Sequence, residues 1–288
     1  MTSNRWSDLD RPPLDANALR RALVTPGSLW TSLDVVEQTG STNSDLIARA
    51  RTGAAEGAVL VAEEQTAGRG RLDRRWSAPP RSGLFFSILL RPDTVPEERW
   101  GWLPLLVGTA TAAAVAGTAG VDTALKWPND LLLRAGEQVR ERKAAGILAE
   151  RVGGGGVERG AGAGGVVIGV GLNVSLREDE LPTPQAGSLA LAGAAVTDRD
   201  PLLRAVLRSI AEWYVRWRDV GGDPHASGVF EAYTASCATL GRRVRVEMPG
   251  GEEVLGQAEA VDEAGRLVVR DAEGVRREVA AGDIVHLR

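Results

Sequence analysis

Residues 143–174 read KAAGILAERVGGGGVERGAGAGGVVIGVGLNV, two apolar runs of strand length around a glycine-rich centre. The runs Ala144–Arg151 and Val166–Val174 predict buried strands. Residues 153–165 between them offer no side chains for packing, which predicts a mobile hairpin tip. Glycines alternate inside the second run, at 169 and 171, and this usually marks the close approach of a ligand or of another backbone. The stretch therefore predicts a buried sheet with something lying against it.

Further elements are predicted on both sides of this stretch. Ser41-Thr42-Asn43 precede an apolar segment and predict a helix that begins near Thr42–Ser44. Trp102–Ala119 predicts a buried helix, and Phe230–Leu240 predicts a helix that Gly241 ends. Apolar residues recur at helical spacing through 201–217. Additional short strands are predicted at Ala58–Ala62, Leu84–Leu90, Ala124–Trp127 and Leu131–Leu133.

The two ends of the chain differ from this central part. Residues 1–33 are polar, contain three prolines and predict an arm with one short helix near Ala16–Val24. After Gly241, five short strands with glycine-containing turns at hairpin spacing predict a small barrel. These strands are predicted at residues 244–247, 254–260, 266–270, 275–279 and 284–287.

Composition limits the class of protein. The formal net charge of −4 provides no overall basic field for a nucleic-acid backbone or an anionic membrane surface. The single cysteine, Cys237, excludes an internal disulfide and a thiolate cluster within one chain. Met1–Asp10 lack the apolar core of a signal peptide, and Trp102–Ala119 falls short of the ~20 strongly apolar residues of a membrane span. We therefore expect a cytoplasmic protein that binds neither nucleic acid nor membrane.

Several polar motifs interrupt the apolar pattern. Residues 65–76 alternate glycine with arginine, which suits the approach of phosphate or carboxylate oxygens. Lys126–Asp130 surround a proline-fixed bend, and Lys143 stands at the start of a buried strand. Each also has a simpler interpretation: a solvated turn, an ordinary hairpin and a surface lysine. No P-loop sequence occurs, and His225 and His286 have no partners that suggest a triad or a zinc site.

Taken in order, the motifs closely resemble the biotin protein ligase family. They are Gly40–Asn43, Gln65–Arg71 with Trp76-Ser77, Lys126–Asp130, Lys143–Ile147 and Gly169–Asn173. The resemblance spans roughly residues 35–288. It implies an α+β fold, with a mixed β-sheet flanked by helices and a small C-terminal SH3-like β-barrel. The implied division is an arm at 1–34, a catalytic domain at 35–238 and the barrel at 239–288.

The resemblance also implies a reaction. Biotin and MgATP would form biotinyl-5′-AMP and pyrophosphate, and a lysine of a biotin carboxyl carrier domain of a biotin-dependent carboxylase would then take the biotinyl group and release AMP. ATP with Mg²⁺ and biotin would be substrates, with no tightly bound cofactor and no metal ligands indicated by the sequence.

Residue roles follow from the same resemblance, position by position. The implied catalytic residues are Arg69, Arg71, Asp130 and Lys143. Biotin would contact Ser41, Thr42, Asn43, Gln65, Gly68, Arg69, Arg71, Lys143 and Gly146. ATP or the adenylate would contact Arg69, Arg71, Trp76, Lys126, Asn129, Lys143 and Asn173.

Two other functions remain open on sequence grounds. A lipoate or octanoate transferase would share a lysine beside a central strand, although the Ser-Thr-Asn and Gly-Arg-Gly-Arg motifs argue against it. A nucleic-acid-binding module would use a basic patch, and net acidity opposes it. About 40 residues precede the first motif without a helix-turn-helix pattern, so we expect no DNA-binding domain of the repressor type. The basic patch of the nucleic-acid-binding alternative would comprise Arg69, Arg71, Arg74, Arg75 and Arg81.

Overall fold

The computed structural model describes residues 10–72, 74–135, 140–153 and 164–287. Its main sheet has seven strands in the order β1-β2-β5-β9-β8-β7-β6. Strands β1 and β2 pair in parallel, and the other neighbours pair antiparallel. The strands, including a separate β3–β4 hairpin, are β1 Ser32–Val36, β2 Ala58–Ala62, β3 Gly68–Arg69, β4 Arg75–Trp76, β5 Gly83–Leu90, β6 Asp122–Lys126, β7 Asp130–Ala135, β8 Arg140–Val152 and β9 Gly165–Asn173.

Helices flank this sheet, which confirms the predicted fold class. They are α1 Ala16–Leu23, α2 Thr42–Arg51, α3 Trp102–Ala119, α4 Arg199–Asp219 and α5 Val229–Ser236. Helix α3 is long and apolar enough to cross a membrane, but 67% of its residues are buried inside the protein. A helix that is apolar on all sides belongs in a core. The prediction of a buried helix at 102–119 is therefore confirmed.

The C-terminal part folds as a second sheet of five antiparallel strands in the order β13-β12-β11-β10-β14. It is fastened to the main domain through tryptophan side chains: Trp102 Nε1 donates to Glu263 O at 3.0 Å, and Trp127 Nε1 donates to Gly265 O at 3.0 Å. The small domain therefore stands at the start of α3 and at the bend after β6. Its strands are β10 Arg243–Glu247, β11 Glu253–Val261, β12 Leu267–Arg270, β13 Arg276–Val279 and β14 Asp283–His286.

The predicted C-terminal end of the helix at Phe230–Leu240 is wrong. Helix α5 stops at Ser236, because Cys237 forms a bridge with Leu125 and Ala238 N donates to Leu125 O at 2.7 Å. This pairing across the domain boundary competes with the last helical turn, and the helical pattern alone contains no sign of it.

Residues 14–33 do not form a detached arm. Helix α1 confirms the predicted short helix, and Leu19, Leu23 and Trp30 are buried in the main core. Of the predicted hairpin tip at 153–165, residues 154–163 lie outside the described residues. Strands β8 and β9 pair antiparallel up to Val152 and Gly165 on either side of it.

Candidate active site

One cavity brings most of the predicted site residues together. It lies between the start of α2, the β3–β4 hairpin, strands β8 and β9, and a loop before α4. Gly68 and Lys126, two of the predicted contacts, are not among the lining residues. Those predicted residues that do line it are Ser41, Thr42, Asn43, Gln65, Arg69, Arg71, Trp76, Asn129, Asp130, Lys143, Gly146 and Asn173.

A buried polar pocket forms at the start of α2. Gln65 Oε1 accepts from Thr42 N at 2.9 Å and from Thr42 Oγ1 at 3.1 Å, and this fixes the Gln65 amide toward the helix. Ser87 Oγ lies 2.7 Å from Thr42 Oγ1. Ser41 makes no side-chain capping hydrogen bond. The pocket therefore presents hydroxyl and amide groups whose positions are set by neighbours.

Asn43 is engaged within the protein. Its Nδ2 donates to Leu148 O at 3.1 Å and to Glu150 Oε2 at 2.9 Å, and its Oδ1 accepts from Ser87 Oγ at 2.6 Å. A Cβ at Gly169 would lie 2.2 Å from Asn43 Oδ1, so a larger residue would displace the amide. Asn43, predicted to contact biotin, thus ties α2 to strands β8 and β9. Its role in ligand binding stays a prediction.

Lys143 and Asp130 form the central charged pair of the cavity. Lys143 Nζ lies 2.6 Å from Asp130 Oδ1, within ion-pair distance. Lys143 is inside β8, not before it, at a point where the β7–β8 register shifts between Leu131 and Leu132. Such a bulge changes the direction in which side chains project. The ammonium of Lys143 also lies 5.7 Å from the centroid of the Trp76 ring.

Trp76 lies on a platform of two glycines. Gly146 and Gly171 face each other across β8 and β9, and a Cβ on Gly171 would lie 2.7 Å from Trp76 Cε2. A Cβ on Gly146 would lie 3.0 Å from Trp76 Cζ3. The close approach expected from the glycine pattern is therefore that of an indole. Trp76 Nε1 is buried with no hydrogen-bond partner in the described part of the chain.

The arginine loop places two predicted catalytic cations over the cavity. Arg69 pairs with Glu150 at 2.9 Å, whereas Arg71 Nη1 donates to Asn129 Oδ1 at 3.3 Å and to Gly282 O at 3.4 Å. Burial lowers the pKa of the Arg71 guanidinium from its ordinary value, and nearby carboxylates oppose that shift. A desolvated guanidinium beside a cavity is well suited to anionic oxygens.

Lys126 lies beside the cavity rather than in its lining. Burial lowers the pKa of its ammonium, the carboxylate of Asp130 opposes that shift, and the ammonium of Lys143 adds to it. Its positive charge therefore adds to the field around the Lys143–Asp130 pair, while its contact with ATP stays a prediction.

Several contacts around the cavity were not predicted from the sequence. Asn173 lines the cavity, and its Nδ2 donates to Gly187 O at 3.0 Å, which holds a loop in place. Its contact with the adenylate stays a prediction. Ser87 in the apolar strand β5 supports Thr42 from behind the cavity, and the lining includes Asp283 of the small domain and Pro182, Thr183, Gln185 and Ala186. Arg74 forms an ion pair with Asp283. These contacts join distant parts of the chain, so no local pattern signals them.

Comparisons with known proteins agree with this geometry. Residues 35–173 match the Biotin/lipoate A/B protein ligase family, and residues 239–287 match the Biotin protein ligase C terminal domain. Biotin–[acetyl-CoA-carboxylase] ligase of Mycobacterium tuberculosis is 45% identical over 282 residues, covering 96% of this chain and 97% of that protein. The bifunctional ligase/repressor BirA of Bacillus subtilis is 30% identical over 251 residues, covering 86% of this chain and 71% of that protein.

A solved structure extends the likeness to the fold. Biotin protein ligase from Aquifex aeolicus in complex with biotin and ATP has a TM-score of 0.69 and 26% identity, covering 90% of this chain and 100% of that chain. The chain belongs to the biotin protein ligase family.

Proposed function

We propose that this chain is an ATP-dependent biotin protein ligase, which forms biotinyl-5′-AMP and transfers biotin to a lysine of a carrier domain. The observation that carries the proposal is the cavity itself. It joins the polar pocket at Thr42 and Gln65 to a cluster of three cations, Arg69, Arg71 and Lys143. An acid with a polar ring at one end and a carboxylate at the other fits that arrangement.

In the first step a carboxylate oxygen of biotin attacks the α-phosphorus of ATP. The bond between that phosphorus and the bridging oxygen breaks, and pyrophosphate leaves. The carboxylate and the phosphates repel each other, so cations aimed at the developing charge lower the barrier. Lys143 and Arg71 both line the cavity and supply those charges.

In the second step the amine of a carrier lysine attacks the acyl carbon of the mixed anhydride. The bond from that carbon to the AMP oxygen breaks, an amide forms, and the amine gives up a proton. An ammonium cannot attack until it is deprotonated. Asp130, whose carboxylate lies beside Lys143, orients Lys143 in the first step and assists the proton transfer in the second.

Mg²⁺ enters as a companion of the ATP phosphates. In the ranges that the structure describes, no group of three or more His, Cys, Asp or Glu side chains is placed to hold a metal ion. Mg²⁺ commonly keeps its waters and binds through substrate phosphates with one or two carboxylates. We therefore assign no resident metal site, and MgATP is the substrate.

The pocket at α2 determines which acid is used. Thr42 is buried, Gln65 is partly buried, and the hydrogen bonds between them orient both side chains. A site built to pair polar edges strongly rejects an acid that lacks them. Biotin carries a ureido ring that meets this requirement, whereas the dithiolane ring of lipoate does not.

The arginines do not form a free basic patch. Arg69 pairs with Glu150, Arg74 pairs with Asp283, and Arg71 is turned into the cavity. These pairings favour a closed anionic-ligand site over a surface for a nucleic-acid backbone. The carrier domain of a biotin-dependent carboxylase is the partner we propose, and the cytoplasm is the proposed location.

Transfer to a purified carrier domain tests the proposal. With biotin and MgATP, mass spectrometry should find one biotinyl group on a carrier lysine. Lipoate in place of biotin should give no product. If the carrier is modified with lipoate but not with biotin, the chain is a lipoyl-transferring enzyme instead. If neither acid modifies the carrier, the proposal is contradicted.

A further inference from the structure

The wall loop, residues 174–187, forms one side of the cavity. Pro182, Thr183 and Gln185 line the cavity from this loop. At its base Ser188 Oγ donates to Leu176 O at 2.7 Å, and Asn173 Nδ2 holds Gly187 O. The base is therefore fixed, while the outer turn extends beyond it.

The wall loop also holds the backbone of Lys143. Lys143 N donates to Gln185 O at 2.8 Å, and Gly187 N donates to Lys143 O at 2.8 Å. These bonds replace the strand pairing that β9 would have provided, because the β8–β9 ladder ends at the pair Ala145 and Leu172. The position of the Lys143 backbone thus depends on where residues 185–187 lie.

The outer turn contains a short 3₁₀-helix, Glu178–Glu180, in which Glu180 also pairs with Arg177 of the same turn at 2.7 Å. Two ion pairs join this turn to residues outside the wall loop. One is buried: Arg11 bonds to Glu180, with side chains only 13% and 14% exposed, and Arg11 Nη2 also donates to Ser175 O at 2.9 Å. The other joins Arg142 to Glu178, which is 61% exposed. Exposed pairs contribute little, so the buried pair should dominate.

Arg11 is itself held by a buried anchor. Arg199 Nη2 donates to Pro12 O at 2.6 Å, and Leu14 N donates to Glu63 Oε1 at 2.6 Å. Glu63 and Arg199 pair at 2.6 Å with side chains 5% exposed. The chain on the C-terminal side of Arg11 is therefore fixed to the main domain, and the guanidinium projects from it onto the wall loop.

From these contacts we infer that Arg11 is a positioning residue for the adenylation step. Its bond to Glu180 fixes the outer turn of the wall loop, and the loop in turn fixes the backbone of Lys143. The inference rests on the proposed function. It gives the N-terminal segment, which the sequence left without a role, a task in catalysis at a distance from the reacting atoms.

The test compares Arg11→Ala with Glu178→Ala in biotin-dependent exchange of labelled pyrophosphate into ATP. Arg11→Ala should lower kcat about tenfold, since small displacements of a catalytic group from a distance have effects of this order. The KM for biotin should stay within about threefold of the wild-type value, because contacts at α2 do not depend on the wall loop. Glu178→Ala, which cuts the exposed pair on the same turn, should match the wild type.

Two further variants separate positioning from stability. Glu180→Gln cuts the same pair from the other side, together with the ion pair of Glu180 to Arg177, and should lower kcat at least as much as Arg11→Ala does. Arg11→Lys, which keeps one charged donor, should restore part of it. The melting temperature is measured for each variant, with kinetics recorded well below it.

An Arg11→Ala enzyme with wild-type kcat, even with a lower melting temperature, would overturn the inference. Equal losses in Arg11→Ala and Glu178→Ala would overturn it too, since they would indicate general loosening of the turn. Absence of exchange in the wild type would instead overturn the proposed function, and the inference with it.

Discussion

Replacing Gly171 by alanine should displace the Trp76 indole and weaken ATP binding. The added Cβ would lie 2.7 Å from Cε2 and 2.8 Å from Nε1 of the ring. The backbone cannot yield easily, because Gly171 pairs with Phe85 on one side and with Gly146 on the other. Overpacking of this kind costs about 1–3 kcal/mol. We expect the KM for ATP to rise about tenfold, which lies toward the lower end of the range that this energy spans.

The matched variant is Gly169→Ala, two residues earlier on the same face of β9. Its Cβ would meet Asn43 Oδ1 at 2.2 Å, so the disturbance should reach α2 and raise the KM for biotin instead. Gly117→Ala in α3, where nothing lies within 4 Å of the added atom, controls for the substitution itself. The assay is pyrophosphate exchange with each substrate varied in turn. Equal effects of both strand variants on both KM values would refute the assignment of separate subsites.

Three other perturbations have directions set by the structure. Asp130→Asn should slow transfer from preformed biotinyl-5′-AMP by about a hundredfold if Asp130 assists proton removal; an unchanged single-turnover rate would leave it only the orienting role. Arg199→Met should lower the free energy of unfolding by about 3–5 kcal/mol because it leaves Glu63 buried and unpaired; urea unfolding measures this, and a loss below about 1 kcal/mol would contradict the reasoning. Burial, and next the neighbouring Lys126, lower the pKa of His286 to about 4 from 6.5. The unfolded chain therefore protonates His286 at a higher pH than the folded chain does. As the pH drops from 6.5 to 4, the free energy of unfolding relative to a His286→Gln variant should fall by about 1–2 kcal/mol, after discounting for the half-exposed ring. A pH-independent difference would refute the burial argument.

The sequence predicted the elements that carry their own local pattern. Helix α2 begins at Thr42 as its capping residues indicate, and the apolar run at 84–90 is a fully buried strand. The glycines at 169 and 171 are a site of close approach, as predicted, but the groups that approach are the side chains of Asn43 and Trp76. The order of the motifs also predicted that Arg71 and Lys143 lie in one site. This followed from the family resemblance, because hydrophobic periodicity alone does not indicate which distant residues meet.

What the sequence did not indicate depends on contacts between distant segments. Helix α5 ends early because Cys237 pairs with Leu125, and Ser87 joins the polar pocket from an otherwise apolar strand. Asp283 reaches the site from the small domain. Nor did the sequence indicate that the Asn173 amide donates to Gly187 O, while the predicted adenylate contact of Asn173 stays a prediction. In each case tertiary partners determine the outcome, and local propensity is a weak guide.

Biotin-dependent exchange of labelled pyrophosphate into ATP, compared between the wild type and Lys143→Ala, tests the central claim most directly. The exchange reports adenylate formation alone, without any carrier domain. In the proposed mechanism Lys143 supplies a charge that acts mainly in the transition state, so its loss should reduce exchange by about a hundredfold or more while the protein stays folded. Wild-type exchange that requires biotin and is lost in Lys143→Ala is the predicted result. Exchange that persists in Lys143→Ala, or that lipoate supports equally well, would contradict the account.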